Sequence, residues 1–151
     1  MEKQRSTDDF ILFHLAFPVT NIPDTKTFYH QGLGCELGRE SPQSLIMSLF
    51  GHQLVAHVTR DSVPLQKGIY PRHFGLVFSQ LDAWQALVDR AKHHQLEFYQ
   101  SPRRRFPDSP LEHYTFFLAD PFHNLLEFKH YHSSEAIFGY QGINQIGDLK
   151  G

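Results

Sequence analysis

Three side chains that could hold a metal ion stand out, although they lie far apart along the chain. His14 and His73 each lie in a stretch where apolar residues alternate as in a β-strand, with small residues on the histidine's face. Glu127 is an acidic residue inside an apolar run, where a carboxylate is costly unless it is paired, protonated or bound to a cation. Two imidazoles and one carboxylate form the facial triad of non-haem Fe(II) oxygenases, so the three residues predict a metal site.

Each of these residues also has a plainer interpretation. Glu127 could form an ion pair with a neighbouring Lys or Arg on a solvent-exposed strand face. Either histidine, taken alone, is more often a core or surface residue than a ligand. The joint placement of the three residues favours a metal site, provided that the strand faces that carry the two histidines line one cavity.

One order of elements, β-α-β-β-β, occurs twice in the chain and would position these residues. Aligning His14 with His73 superimposes small residues on one strand face and bulky apolar residues on the other. A helix that begins near a proline and ends at the glycines of 32–34 follows the first strand, and an amphipathic helix to about residue 95 follows the second. Three extended runs follow each helix, at about 35–40, 44–50 and 52–59, then 96–103, 112–119 and 124–131. The alternative is an unrelated α+β sandwich with a chance similarity.

The repeated pattern predicts an α+β fold in a single domain of paired modules over residues 10–131. Module 1 covers 10–59, a polar linker 60–71 and module 2 72–131. Residues 1–9 are predicted to be a flexible tail. Residues 132–151 are predicted to be an arm with at most one helical turn, near Ser134 to Phe138.

Composition narrows the classes of function. The chain has 151 residues, 40% of them hydrophobic, and a formal net charge of −2, so it has no electrostatic footprint for nucleic acid or an anionic membrane. One cysteine, Cys35, excludes an internal disulfide framework and a cysteine-based zinc site. No apolar run approaches membrane-spanning length, and the polar opening is no signal peptide, so we expect a cytoplasmic protein.

The duplicated pattern carries a family resemblance. His14, His73 and the Glu127 of NLLEFK after a DPxxN turn resemble the vicinal-oxygen-chelate superfamily, which includes glyoxalases, bleomycin-resistance proteins and extradiol ring-cleaving dioxygenases. The resemblance covers about residues 10–131. It implies an open barrel-like sheet around a metal between the two modules, with helices outside. It also implies that the three residues match the metal ligands of the ring-cleaving branch.

The number of metal ligands indicates which branch of the superfamily the chain resembles. Glyoxalase I-like members of the superfamily use a carboxylate from the last strand of each module, but the run 52–59 contains no Asp or Glu. Two alignments place either Val55 or Ala56 where Glu127 lies in module 2. A three-ligand site leaves up to three positions of an octahedral ion for substrate oxygens and O₂. We expect Fe(II), with Mn(II), Zn(II) and Ni(II) as alternatives.

Two further histidines are candidate catalytic groups. His57 and His113 could supply the base and the acid of ring cleavage, because an unperturbed imidazole titrates near neutral pH. The plainer interpretation of His113 is an exposed histidine at a strand end. One departure from the ring-cleaving relatives concerns Phe117, which stands where they carry a tyrosine ten residues before the glutamate. The hydroxyl that this tyrosine offers to substrate oxygen is therefore missing.

The resemblance implies an extradiol-type dioxygenase that uses Fe(II) and O₂ on a small catechol-like chelating substrate. The alternatives are a glyoxalase-like metal-dependent lyase or isomerase, and a non-catalytic resistance-type binding protein. A homodimer is expected, and the modules could pair within one chain or exchange between two. The basic run 103–105, in the connection before the penultimate strand, could clamp a substrate carboxylate or form a solvated loop.

Overall fold

The computed structural model describes residues 11–61 and 63–139. The predicted tail, 1–9, and the end of the predicted arm, 140–151, lie outside the described residues. The described residues divide into two compact units, one up to residue 61 and one from residue 63. Each contains one mixed four-stranded sheet in which the first strand runs parallel to the last, and the predicted α+β fold is confirmed.

Unit 1 contains the strands of the first repeat in the spatial order β1-β4-β3-β2. Their bounds are β1 His14–Val19, β2 Glu36–Ser41, β3 Ser44–Leu49 and β4 His52–Val58. In β3 alternate side chains are buried, and Leu45, Met47 and Leu49 point into the core. This alternation leaves the opposite sheet face, which carries His14 and the other polar side chains, outside the core.

The helical segment of unit 1 differs from a single regular helix. Helix α1, Ile22–Thr25, is capped by the Asn21 side chain, which accepts from the Asp24 backbone N–H at 2.7 Å. The segment then continues as a π-helix, Lys26–Gly32. The Thr25 hydroxyl donates to the Asn21 carbonyl at 2.6 Å, which is the kind of local bond that competes with the regular helical ladder. Phe28 and Tyr29 of the wider turns are buried.

Unit 2 repeats the plan with the strand order β5-β8-β7-β6. Its elements are β5 Phe74–Val77, α2 Leu81–His93, β6 Phe98–Arg105, β7 His113–Ala119, β8 Leu125–Tyr131 and α3 Glu135–Phe138. Helix α2 covers one face of this sheet. The Trp84 indole N–H donates to the Phe128 carbonyl at 2.8 Å, and its ring lies 5.6 Å from that of Phe116. The helical turn expected near residues 134–138 is α3.

Two expectations about unit 2 need correction. The basic run 103–105 is part of strand β6 rather than of a connecting loop, because β6 pairs with β7 as far as Arg105. His73 does not lie inside β5 but directly precedes it. Both differences arise at element boundaries, where local sequence patterns are least informative.

The turn between β7 and β8 sets the register on which the site depends. The Asp120 carboxylate accepts from the backbone N–H groups of Phe122 and Asn124, both at 2.8 Å. This Asx-type turn fixes where the hairpin reverses. Phe117 therefore lies directly opposite Glu127 across the β7–β8 pair.

Candidate metal centre

Glu127 lies near the middle of β8, and only 7% of it is exposed. The Thr115 hydroxyl on β7 donates to Oε2 at 2.5 Å, and His73 Nε2 lies 3.2 Å from Oε1. Lys129 Nζ, on the same strand face, lies 3.6 Å from Oε1. Three neighbours of donor type thus surround a carboxylate that solvent barely reaches.

The charge state of Glu127 follows from these contacts. Burial disfavours the charged form and raises the pKa of Glu127, but hydrogen bonds from His73 and Thr115 act in the opposite direction. The nearby Lys129 ammonium adds to them, and the net result is a pKa below the ordinary range. The carboxylate is therefore ionised at neutral pH despite its burial.

His73 is oriented by its other ring nitrogen. Nδ1 lies 2.7 Å from the Ile69 carbonyl, so Nδ1–H donates there and Nε2 is directed at Glu127. The Phe117 ring packs edge-on against the imidazole, with the ring centroids 5.0 Å apart. The hydrogen bond to Glu127 raises the pKa of His73, which burial partly opposes. An imidazole held by a backbone carbonyl behind it is the usual arrangement of a metal-binding histidine.

Lys129 provides the ion pair that the plainer interpretation of Glu127 anticipated. Its ammonium also lies 3.3 Å from the Tyr131 hydroxyl. Burial lowers the pKa of Lys129, but Glu127 and Tyr131 together outweigh it and leave the pKa raised. This pair lies on a largely buried face rather than on a solvated one, and it holds an ammonium beside the carboxylate.

His14, the third predicted ligand, belongs to unit 1. It is exposed, and its Nδ1 lies 2.7 Å from Gln53 Oε1 on the neighbouring strand β4. If Nδ1–H donates to this oxygen, Nε2 keeps a lone pair that can bind a metal. Within either unit taken by itself, the described residues bring no three His, Cys, Asp or Glu side chains into one metal-binding group. The three-ligand set therefore stays a prediction.

The strand registers decide between the two alignments of the modules. Val55 pairs with Ala16 on β1 and with Ile46 on β3. Glu127 pairs in the same way with Gly75 on β5 and with Phe117 on β7. Val55, and not Ala56, therefore occupies the position in unit 1 that Glu127 occupies in unit 2. An alkyl side chain stands where a second carboxylate would be needed.

The two candidate catalytic histidines have different environments. His57 is exposed on β4, with Nδ1 2.9 Å from the Ser44 hydroxyl. His113 is buried at the start of β7, so the exposed strand-end interpretation is wrong. Its Nδ1–H donates to the Leu111 carbonyl at 2.9 Å, and its ring lies 4.8 Å from that of Tyr131. Burial lowers the pKa of His113, which keeps the imidazole neutral at pH 7.

Thr115 and Lys129 are site residues that pattern reasoning did not select. Their signal is the register itself, because Thr115 lies directly opposite Lys129 and diagonally beside Glu127. A register is fixed by the turn at 120–124 and can be counted from the sequence once that turn is placed.

Comparison with known proteins assigns the family. Residues 11–128 match the model of the Glyoxalase/Bleomycin resistance protein/Dioxygenase superfamily. The chain belongs to this superfamily, which contains many metal-dependent enzymes and whose members bind divalent metals. The resemblance inferred from the sequence is thereby confirmed at the level of the superfamily. No match was found among the curated proteins.

Solved structures agree with this assignment. A glyoxalase/bleomycin resistance protein/dioxygenase from Alicyclobacillus acidocaldarius is 38% identical, with a TM-score of 0.81 over 89% of this chain and 100% of that chain. A lactoylglutathione lyase from Agrobacterium tumefaciens is 15% identical, with a TM-score of 0.62 over 86% and 97%. A mutant of the fosfomycin resistance protein FosX from Listeria monocytogenes, complexed with Mn(II) and 1S,2S-dihydroxypropylphosphonic acid, is 17% identical, with a TM-score of 0.63 over 83% and 92%. The last two show the fold alone.

A membrane-spanning helix is not found in 11–61 or 63–139, where every helix is too short or too polar to cross a bilayer.

Proposed function

We propose that this protein is a metal-dependent enzyme that acts on a small substrate chelating the metal through two oxygens. His14, His73 and Glu127 are its proposed ligands. The observation that supports the proposal best is the 3.2 Å approach of His73 Nε2 to Glu127 Oε1. With Nδ1–H donating to the Ile69 carbonyl, the hydrogen bond from Nε2 to Glu127 requires a second proton on the His73 ring, and a metal ion bound by both side chains would take the place of that proton.

The arrangement of these two groups fits a cation. Two acceptor atoms that face each other at this distance require either a proton on Nε2 or a positive ion bound by both. The backbone carbonyl behind His73 and the Thr115 hydroxyl on Glu127 are the outer hydrogen bonds that orient metal ligands. A nitrogen-and-oxygen ligand set suits Fe(II) or Mn(II), and Zn(II) or Ni(II) also bind such sets.

The ligand count favours the ring-cleaving branch of the superfamily. Because Val55 occupies the place of a second carboxylate, the proposed set has three protein ligands and leaves room for a chelating substrate and O₂. We therefore propose an extradiol-type dioxygenase that uses Fe(II) and O₂ on a small catechol-like substrate. When bound, Fe(II) would supply Lewis acidity and the electrons for O₂ activation.

The residues around Glu127 suggest how protons are handled. His113 is neutral, and its Nε2 is free of the bond that Nδ1–H makes to Leu111, so it can accept a proton from a substrate hydroxyl. The Lys129 ammonium can stabilise an oxyanion that forms beside Glu127. His57 is proposed as the acid from unit 1, with Ser44 orienting its ring.

Phe117 favours a second candidate, a glyoxalase-like lyase or isomerase that needs no O₂. Its phenyl ring packs on His73 directly opposite Glu127, where ring-cleaving relatives carry a tyrosine. A non-redox proton transfer at an enolisable substrate does not require that hydroxyl. A resistance-type protein that only traps a compound is the remaining alternative, and it would not need ligands at the three positions.

A substrate screen with and without oxygen separates these functions. Protein loaded with Fe(II), Mn(II), Ni(II) or Zn(II) is mixed with a catechol panel, and O₂ uptake and the ring-opened product are measured. We expect uptake with Fe(II) that is lost in Glu127→Ala and kept in His93→Ala, which replaces an exposed histidine at the end of α2. Turnover of enolisable substrates in anaerobic Ni(II) or Zn(II) protein would favour the second candidate. Ligand binding that persists after chelation of all metal would favour the third. Light scattering during the same preparation tests the proposed homodimer.

A further inference from the structure

Tyr131 places a phenol on the same sheet face as Glu127. Alternate residues of a strand project to one side, so Glu127, Lys129 and Tyr131 share a face of β8. Across the β7–β8 pair, Tyr131 lies directly opposite His113, and Lys129 lies directly opposite Thr115. Because directly opposed residues project to the same side of a sheet, both residues of β7 also belong to this face. Tyr131 is half-buried there.

Thr115 and Tyr131 are the hydroxyl-bearing side chains that β7 and β8 place on this face. The Thr115 hydroxyl donates its proton to Glu127 Oε2 at 2.5 Å. A hydroxyl group has one proton, so Thr115 has none left for a second acceptor. Of these two residues, Tyr131 is therefore the one that can offer a hydroxyl proton to a bound molecule.

Lys129 links the phenol of Tyr131 to the carboxylate of Glu127. Its Nζ lies 3.6 Å from Glu127 Oε1 and donates to the Tyr131 hydroxyl oxygen at 3.3 Å. Both oxygens approach one ammonium group, so a small molecule bound at Glu127 is within reach of the phenol. An ammonium group only donates, and the Tyr131 oxygen is therefore the acceptor in this contact. Its own O–H proton can be donated to a third group.

His113 supplies an acceptor beside the phenol. Its ring centroid lies 4.8 Å from that of Tyr131, with an angle of 36° between the ring planes. Because Nδ1–H donates to the Leu111 carbonyl, Nε2 of the neutral ring is an acceptor. A hydroxyl group of a bound molecule needs one acceptor for its proton and donors for its oxygen. His113 offers the acceptor, and Tyr131 and Lys129 offer the donors.

We propose that Tyr131 is a substrate-binding residue whose O–H donates to a substrate oxygen bound beside Lys129 and His113. The inference rests on the proposed function, since it places the chelating end of the substrate at Glu127 and His73. When a substrate hydroxyl passes its proton to His113 Nε2, the oxygen keeps the electron pair, and the two donors bind the anion that results. The substrate class becomes aromatic or enolic hydroxy compounds, which can lose a proton at this oxygen, rather than chelators without a hydroxyl group.

Tyr131→Phe tests the hydroxyl and keeps the ring that packs on His113. Absorbance titration measures the Kd of 4-nitrocatechol for the full-length chain loaded with Zn(II), and elemental analysis measures the metal content of each protein. We expect about ten-fold weaker binding by Tyr131→Phe at unchanged metal content, which is the loss of about one hydrogen bond to a charged oxygen. The matched control Tyr114→Phe removes a phenol hydroxyl on the opposite, helix-covered face, where the ring packs against Trp84, and should bind as the parent does.

A second arm keeps the inference separate from the proposed function. The chain is labelled with ¹³C at the hydroxyl-bearing carbon of tyrosine, and the signal of Tyr131 is assigned by its absence from Tyr131→Phe. The metal-free protein is then titrated with 4-nitrophenol, which has one hydroxyl and cannot chelate. A shift of the Tyr131 signal, with that of Tyr114 unmoved, supports the hydroxyl-binding site even if 4-nitrocatechol never binds the Zn(II)-loaded parent, in which case the proposed function fails alone. Equal Kd values for the parent and Tyr131→Phe, or a Tyr131 signal that neither probe moves, would overturn the inference.

Discussion

Gly75 and Glu127 pair so closely across β5 and β8 that a Cβ on Gly75 would lie 1.6 Å from the Glu127 carbonyl oxygen. No side chain can occupy that space. The absence of a Cβ is therefore what lets β5 approach β8, and His73 directly precedes β5. The equivalent pair in unit 1 is Ala16 and Val55, so the close approach belongs to the module that carries the carboxylate.

Gly75→Ala should separate β5 from β8 and disturb the His73–Glu127 contact. We expect a loss of about 1–3 kcal/mol in the free energy of unfolding of unit 2, the usual range for overpacking, together with weaker metal retention. Trp84, the only tryptophan, reports unfolding of this unit by fluorescence. Gly139→Ala is the matched control, because a Cβ there meets no atom within 4 Å. An unchanged unfolding midpoint of Gly75→Ala would show that strands β5 and β8 tolerate the added methyl group.

Thr115→Val tests the hydroxyl that holds Glu127. The substitution keeps the side-chain shape but removes the 2.5 Å hydrogen bond to Oε2 in a site that is 1% exposed. A hydrogen bond to a charged group contributes about 1.5–3 kcal/mol, so urea unfolding followed at Trp84 should show a loss of this size. The control Ser134→Ala removes a hydroxyl that caps no backbone group and should stay within about 0.5 kcal/mol. Equal effects of the two variants would contradict the role of Thr115.

The stability of unit 2 should fall in acid through Glu112. The Asp108 backbone N–H, and then Arg104, hold the pKa of Glu112 below its ordinary value. A depressed pKa in the folded state gives stability that is complete above the ordinary pKa of Glu and is lost as the pH falls through the lowered value. Thermal midpoints measured by Trp84 fluorescence across the acid range should therefore decline less steeply in Glu112→Gln. The lowered pKa of Glu127 should leave a smaller decline in that variant. Parallel curves for the two proteins would exclude the contribution of Glu112.

Much of the fold can be predicted from the sequence because the alternation of apolar residues in strands and their helical spacing are both strong. The alternation in β3 and the helical spacing of Trp84 and its neighbours depend on burial, and burial is what the pattern reports. The π-helix 26–32 is different, because the hydrophobic spacing of so short a segment does not distinguish its wider turns from those of a regular helix.

The candidate site also has residues that the sequence predicts and residues that it does not. Glu127 could be selected from sequence because an acidic residue in an apolar run needs a partner, and His73 could be named as a residue that joins it, whereas Lys129 could not. The contribution of Thr115 required the β7–β8 register, which depends on the Asp120 turn. The split of the arginines 103–105 between two faces required the irregular pairing of β6, where the register shifts twice before Arg103. A shift of this kind reverses which face a residue occupies, and sequence parity cannot follow it.

Metal content tests the central claim most directly. Elemental analysis after equal exposure to Fe(II) or Mn(II) compares the freshly purified parent protein with Glu127→Ala, His73→Ala, His14→Ala and the control His93→Ala, an exposed histidine of α2. We expect about one equivalent of metal per chain in the parent and the control, with loss of retention in each of the three ligand variants. Full occupancy in Glu127→Ala would contradict this expectation.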